Sequence, residues 1–184
     1  MLIGGIILGV VVILLIVMFN SLVVKRNAVD NAFAAIDAQL KKRCDLIPNL
    51  VASAKAYMKH ESETLTNITA LRAQAMKSDR TPEEKIQLDN KITGAMRGFM
   101  VQMESYPDLK ASDNIQMLMR SLNEVEEQLS AARRTYNAAV TEFNNSIQVF
   151  PACVFAGMMG FTKKELFSIP EAERANPNVS QLFN

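Results

Sequence analysis

LIGGIILGVVVILLIVMFNSLVVKRNAVDNAFAAIDAQLKKRC, residues Leu2–Cys44, decides the fold, because two kinds of helix meet within it. From Leu2 to Phe19 the stretch is apolar except for three glycines. As a helix rising ~1.5 Å per residue this part covers ~27 Å, close to the ~30 Å hydrocarbon core of a bilayer. A cleaved secretion signal would instead show a basic flank before a shorter apolar core, then small residues at the cut site. Here no Lys or Arg precedes the run, and the nearest small-x-small triplet, Ala32-Phe33-Ala34, lies beyond Lys25, Arg26 and Asp30. No lipobox cysteine follows either, so the expectation is an uncleaved transmembrane anchor over residues 1–20. Lys25 and Arg26 stand just past the span, which places the following residues on the cytoplasmic side of the inner (cytoplasmic) membrane. Gly5 and Gly9 form a GxxxG inside it, a spacing that lets two helix backbones approach and associate.

Past the anchor, apolar residues recur at steps of three and four: Val29, Phe33, Ile36, Leu40, Cys44, Ile47, Val51, Ala54, Met58, and beyond Glu61 Leu65 and Ile68. That is the period of a helix burying one stripe. Pro48 removes a backbone donor within the series, so a kink is expected in one nearly continuous helix running to about Met76. Thr81-Pro82-Glu83-Glu84 then reads as a helix start, with a Thr cap, Pro in the first turn and Glu three residues after the cap. This helix carries Leu88, Ile92, Met96, Phe99 and Met103 and stops near Tyr106-Pro107. A further long helix opens at Ser112 or Asp113 and carries apolar residues from Leu118 to Phe150 before Pro151. The expected fold class is therefore all-α, an N-terminal transmembrane helix continuing into an antiparallel bundle of long helices over residues 21–168. Residues 169–184 form a polar C-terminal tail. Between them, VFPACVFAGMMGF (Val149–Phe161) is uncharged and too short to span a bilayer. It suits packing on the bundle, lipid contact or another subunit, with Phe155, Met158, Met159 and Phe161 as interface candidates. Thr162-Lys163-Lys164-Glu165 reads as a short capped helix.

The 184 residues suffice for one domain plus an anchor, and 20 Lys+Arg against 19 Asp+Glu leave no global field to attract nucleic acid. No basic stripe interleaved with aromatics appears, so nucleic acid is not an expected partner. Catalytic signatures are missing too: no phosphate loop, GxSxG, GxGxxG, CxxC or HExxH occurs. His60 is the single histidine and makes no zinc site of the usual kinds without Cys or carboxylate partners at ligand spacing, and a di-iron bundle with Glu-x-x-His on two helices would need a second histidine. No catalytic residue, metal or cofactor is expected. Glu124, Glu126 and Glu127 with Arg133 and Arg134 read as solvated helix-face pairs. Cys44 and Cys153 sit in apolar surroundings and read as reduced structural thiols.

The run FNSLVVKRNAVDNAFAAIDAQLKKRCDLIPNLV (Phe19–Val51) resembles the LemA family, and KHE (Lys59–Glu61) follows at the matching distance. YPDLKAS (Tyr106–Ser112), RRTYNAAVTEFNNSI (Arg133–Ile147), Phe150-Pro151 and Gly160-Phe161 extend the resemblance to about Phe167. It departs at Cys44, where the family pattern often has His or a Tyr-like residue, so no function is placed on that thiol. The resemblance implies a bacterial membrane protein with one N-terminal membrane helix and a cytoplasmic helical domain, and it assigns no activity. Among the motif-matching polar residues, Arg43, Asp45, Asn49, Tyr136 and Asn137 are expected to form a structural cluster joining the LIPN segment to the last long helix. Arg43 or Asp45 paired across the bundle would set register, and Asn side chains would satisfy backbone groups freed by Pro48.

The leading expectation is a non-enzymatic, membrane-anchored scaffold or interaction protein that touches membrane lipid and forms homo-oligomers, with membrane or signalling proteins as further partners. The alternatives are a membrane-associated hydrolase or accessory enzyme using His60 and Glu61, and a protein that shapes the bilayer.

Overall fold

The structure, a computed structural model, describes residues 2–58, 61–77 and 79–167. Helix α1 spans Leu2–Lys55, α2 Ser62–Ala75, α3 Pro82–Met103, α4 Pro107–Ala111, α5 Asp113–Gln148 and α6 Ala152–Phe155. No strand occurs among the described residues. The 54 residues of α1 rise ~81 Å, so one helix carries the apolar span and one wall of the bundle without interruption. Side chains from Leu2 to Leu14 are all exposed, whereas Leu22, Val29, Ala32 and Ile36 are buried.

Cross-helix contacts set the directions. Lys25 on α1 pairs with Glu142 on α5, and Arg43 further along pairs with Glu126, so α5 runs antiparallel to α1. Lys85 meets Asp37 and Asp89 meets Arg43, which makes α3 parallel to α1. Arg72 reaches Cys44, so α2 folds back along α1. The order is up-down-up-down, with α4 turning α3 into α5.

The apolar interior falls into two clusters stacked along α1. The membrane-proximal one is built mainly from α1 and α5, with Leu22, Val29, Ile36, Leu129, Tyr136, Val140 and Phe143, and is completed by Phe161 and Phe167 after α6. The distal one joins α1, α2, α3, α4 and the start of α5, with Ile47, Leu50, Ile68, Met96, Phe99, Leu109 and Ile115. Two long helices supply too little apolar surface to shield each other. The proximal half therefore needs the C-terminal segment as its third side.

The expected helix to Met76 is corrected. α1 stops at Lys55, and α2 returns antiparallel. A single apolar stripe is the same for a straight helix and for a hairpin whose arms face one core. The 36 residues of α5 match the length of α1 beyond Phe19, so nothing would cover Leu65 and Ile68 on a straight extension. The helix start at Thr81 has the expected form: Thr81 accepts from the Glu84 N–H at 3.2 Å and Glu84 accepts from the Thr81 N–H at 3.0 Å. Residues 162–165 are not helical but lie in an extended strap over 161–167. Gly160 (φ 76°) turns the chain into it. Phe161 N–H donates to the Ala156 carbonyl at 2.9 Å and Gly160 N–H to Gly157 at 3.2 Å. This is a Schellman closure that needs a left-handed residue.

α1 passes through Pro48, which has no N–H to offer the carbonyl of Cys44 four residues back. The Arg72 Nε–H donates to that carbonyl at 2.8 Å. The expectation that Asn49 would satisfy the freed group is corrected: Asn49 is exposed, and the partner comes from α2. Removing the donor strands a partly buried carbonyl. Arg72→Met should therefore cost ~1–3 kcal/mol in urea unfolding of the full chain. In a Pro48→Ala background, where an N–H returns to position 48, the same substitution should cost clearly less.

Candidate functional site

Two polar arrangements stand out, one between the apolar clusters and one at the membrane-proximal end. In the first, Asp89 on α3 has a side chain with 0% exposure, an ionised group withdrawn from water. Its Oδ1 accepts from Arg43 Nη1 at 2.9 Å, and its Oδ2 accepts from Arg133 Nη2. Arg43, 8% exposed, also donates to Thr93 Oγ1 at 3.0 Å and lies 3.3 Å from Glu126 Oε2. Glu126 Oε1 is 3.6 Å from Arg133 Nη1. Two cations and two anions from α1, α3 and α5 thus close a neutral ring. Helix periodicity explains the placement: Arg43 follows Leu40 and precedes Ile47 on the buried stripe of α1, and Asp89 lies between Ile86 and Ile92 on that of α3.

The ring is a structural layer, and its neighbourhood is modest. Clefts of about 220 Å³ and 210 Å³ flank it. The first is lined by Lys41, Lys77 and Lys85 with Asp37, and Lys85 is already held by Asp37 at 2.6 Å. Among the described residues no three His, Cys, Asp or Glu side chains group so as to hold a metal ion. Burial pushes the Cys44 thiol up, against the opposing pull of Arg43 and Arg72, which makes it a poor nucleophile. Cys153 is exposed.

The second arrangement binds the strap. Asn144 donates to the Lys164 carbonyl at 2.8 Å and accepts from the Lys164 N–H at 2.9 Å. Asn137 does the same with Phe167, at 3.0 and 2.7 Å. Tyr136 Oη donates to the Glu165 carbonyl at 3.1 Å between them. The spacing has a simple origin. Seven residues of helix rise ~10.5 Å, and three residues of extended chain rise ~10 Å, so the two amides on one face of α5 meet strap backbone at matching intervals. Phe167 packs edge-on to Tyr136 at 6.1 Å under the Arg133 guanidinium at 5.3 Å. Burial raises the Tyr136 phenol, keeping it a protonated donor.

The residues expected to form one polar cluster therefore lie in different places. Arg43 is in the charged ring, while Tyr136 and Asn137 grip the strap and do not meet the LIPN segment. Asp45 and Asn49 are exposed, because two and six residues beyond Arg43 at ~100° per residue face away from the buried stripe. Arg133 and Glu126, expected as a solvated pair, belong to the ring because Asp89 reaches Arg133 from α3 and Arg43 reaches Glu126 from α1. Asp89, Thr93, Arg72 and Asn144 escaped the sequence reading. For Asp89 a signal existed, a lone acid in phase with Ile86 and Ile92. Of the interface candidates, Phe161 is not available. It is buried against Phe19 and Phe143, with ring centroids 5.7 and 6.2 Å away, under Arg26. Phe155 and Met159 are half-buried, and Met158 is exposed. Glu61 is half-buried just before α2, and its expected partner His60 lies outside the described residues. At Gly5 and Gly9 a Cβ would meet nothing within 4 Å, so that face of the span is open.

Arg43→Ala should destabilise the full chain by ~3–5 kcal/mol in chemical unfolding, because it leaves Asp89 under-compensated in the interior. Arg43→Met combined with Asp89→Leu removes one charge of each sign and should cost less than the two single changes added. Iodoacetamide at neutral pH should leave Cys44 unmodified in the folded protein and alkylate it after denaturation.

A model described as LemA family matches residues 32–181. Protein LemA of Metamycoplasma hominis is 29% identical over 165 residues, covering 90% of this chain and 75% of that protein. Magnetosome protein MamQ 2 of Paramagnetospirillum magneticum is 30% identical over 95 residues, 52% of this chain and 35% of that relative. Magnetosome protein MamQ of Magnetospirillum gryphiswaldense is 28% identical over 79 residues, 43% of this chain and 29% of that relative. With the family match running from α1 past the strap, this chain belongs to the LemA family.

Proposed function

We propose that this protein is a non-enzymatic scaffold held in the inner membrane by α1, with its helical body on the cytoplasmic side, and that it self-associates through the apolar span. One observation carries the reading: α1 runs unbroken from Leu2 to Lys55, so the apolar segment and the wall of both cores are the same helix. The 18-residue window that qualifies as a membrane span has no buried residue in the isolated chain, and a bilayer supplies the burial it lacks. Retention rather than cleavage is supported by Met18 and Phe19, which pack against the proximal cluster. The likeness to proteins named for the magnetosome, not for a reaction, agrees with an organising role.

Self-association is supported by the open glycine face. No side chain of the same molecule approaches Gly5 or Gly9, so substitution there should leave the monomer fold intact. Wild-type protein in native membranes should give crosslinked dimers or larger species through positions near this face. Gly5→Leu with Gly9→Leu should deplete those species while membrane retention and helicity stay unchanged. Only monomer in the wild type, or unchanged crosslinking in the variant, would remove this part of the reading.

A further inference from the structure

The segment after α5 has a surface that neither the bundle nor the scaffold reading uses. Between Glu142 and Lys163 there is no Asp, Glu, Lys, Arg or His. α5 points toward the membrane end of α1 and stops at Gln148, six residues past Glu142, which pairs with Lys25. The chain then makes a compact hook, with α6 and the Schellman turn at Gly160, before the strap returns along α5. The inner side of the hook is buried: Ala152, Ala156 and Phe161 join the proximal cluster, and Phe161 packs on Phe19. Its outer side carries Val149, Phe150, Val154 and Met158, all exposed, with Phe150 at 83% and Met158 at 77%.

We propose that this hook is a second membrane contact, its outer side seated in the interfacial layer of the bilayer that α1 crosses; it rests on the reading of α1 as a transmembrane anchor. Continuity with the span decides the occupant. Phe19 is the last residue of the apolar run; its ring touches Phe161 of the hook, with centroids 5.7 Å apart, and Met18 beside it packs half-buried against the same cluster. The hook therefore lies at the depth where the span leaves the hydrocarbon. Apolar side chains without a charge among them are stable there, and the segment is too short to cross. Lys25, Arg26, Lys163 and Lys164 flank the same level, and Lys163 and Arg26 are exposed, as suits contact with anionic headgroups. Two attachments on one rigid body, the helix and the hook, set the tilt and rotation of the bundle on the membrane.

The chain contains no tryptophan, so single substitutions report depth directly. Phe150→Trp and Met158→Trp change exposed side chains outside the cores, Ile13→Trp reports on the span and Val101→Trp on the distal end. Each full-length variant is reconstituted into phosphatidylcholine–phosphatidylglycerol vesicles with and without brominated acyl chains. Bromine should quench Phe150→Trp and Met158→Trp to a degree comparable with Ile13→Trp and leave Val101→Trp unchanged. Quenching of Ile13→Trp alone overturns the hook contact and leaves the anchor standing. A blue-shifted but unquenched Phe150→Trp overturns it in favour of a second copy covering the hook. An unquenched Ile13→Trp overturns anchor and hook together.

Discussion

Asp89 holds an ionised side chain wholly out of water, and three helices are arranged to make that tolerable. Arg43 from α1 and Arg133 from α5 each take one of its oxygens, and Glu126 balances the second cation. A buried ion network adds little net stability over well-packed apolar residues, but it tolerates only one alignment. Sliding α1 or α5 by a turn would leave a bare charge beside Asp89. The ring lies at the junction of the proximal and distal apolar clusters, with Arg43 between Ile36 and Ile47, Asp89 between Ile86 and Ile92, and Glu126 between Leu129 and Leu122. Apolar seams of repeating Leu, Ile and Val fit several registers about equally well. One charged layer selects among them.

With that register fixed, each half of the body solves a different packing problem. The distal half has four helices and a short connector, enough to enclose Phe99, Met58 and Leu109 fully. The proximal half has essentially α1 and α5, and its third side is the strap, read by Asn137, Tyr136 and Asn144 through backbone groups alone. Arg133 links the two solutions, because its guanidinium lies against Asp89 on one side and over the Phe167 ring on the other. The strap's docking is thus tied to the register ring, and the ring to the helix that enters the membrane.

The long helices were legible because burial leaves a period. The apolar span, the capped start at Thr81, the break at Tyr106-Pro107 and the extent of α5 all follow from spacing and turn chemistry. The reversal at Lys55 was not legible, since Ile47 and Leu65 face the same core whether the chain runs straight or doubles back. Nor was the strap: Asn137 and Asn144 recognise carbonyls and N–H groups, which leave no trace in side-chain pattern. Thr162-Lys163-Lys164-Glu165 had local helix chemistry that was overruled by burial of Phe161 and Phe167 on either side. A charge pair across the bundle was expected of Arg43 or Asp45, and it is Arg43 that makes one; its partner Asp89 looked like one more charge on an amphipathic helix.

The central claim is that the anchor and the bundle move as one body because α1 is continuous across the membrane boundary. Pulsed electron-spin distance measurement in lipid nanodiscs tests it directly, with labels at Leu14→Cys and Asp45→Cys in a chain carrying Cys153→Ser. Both labelled positions are exposed in the isolated chain, and Cys44 is buried. Thirty-one residues of unbroken helix separate them by ~46 Å, and with doubly labelled chains diluted into excess unlabelled protein a single narrow intramolecular distribution is predicted there. A broad distribution centred well below that distance would mean a hinge between anchor and bundle, and would contradict it.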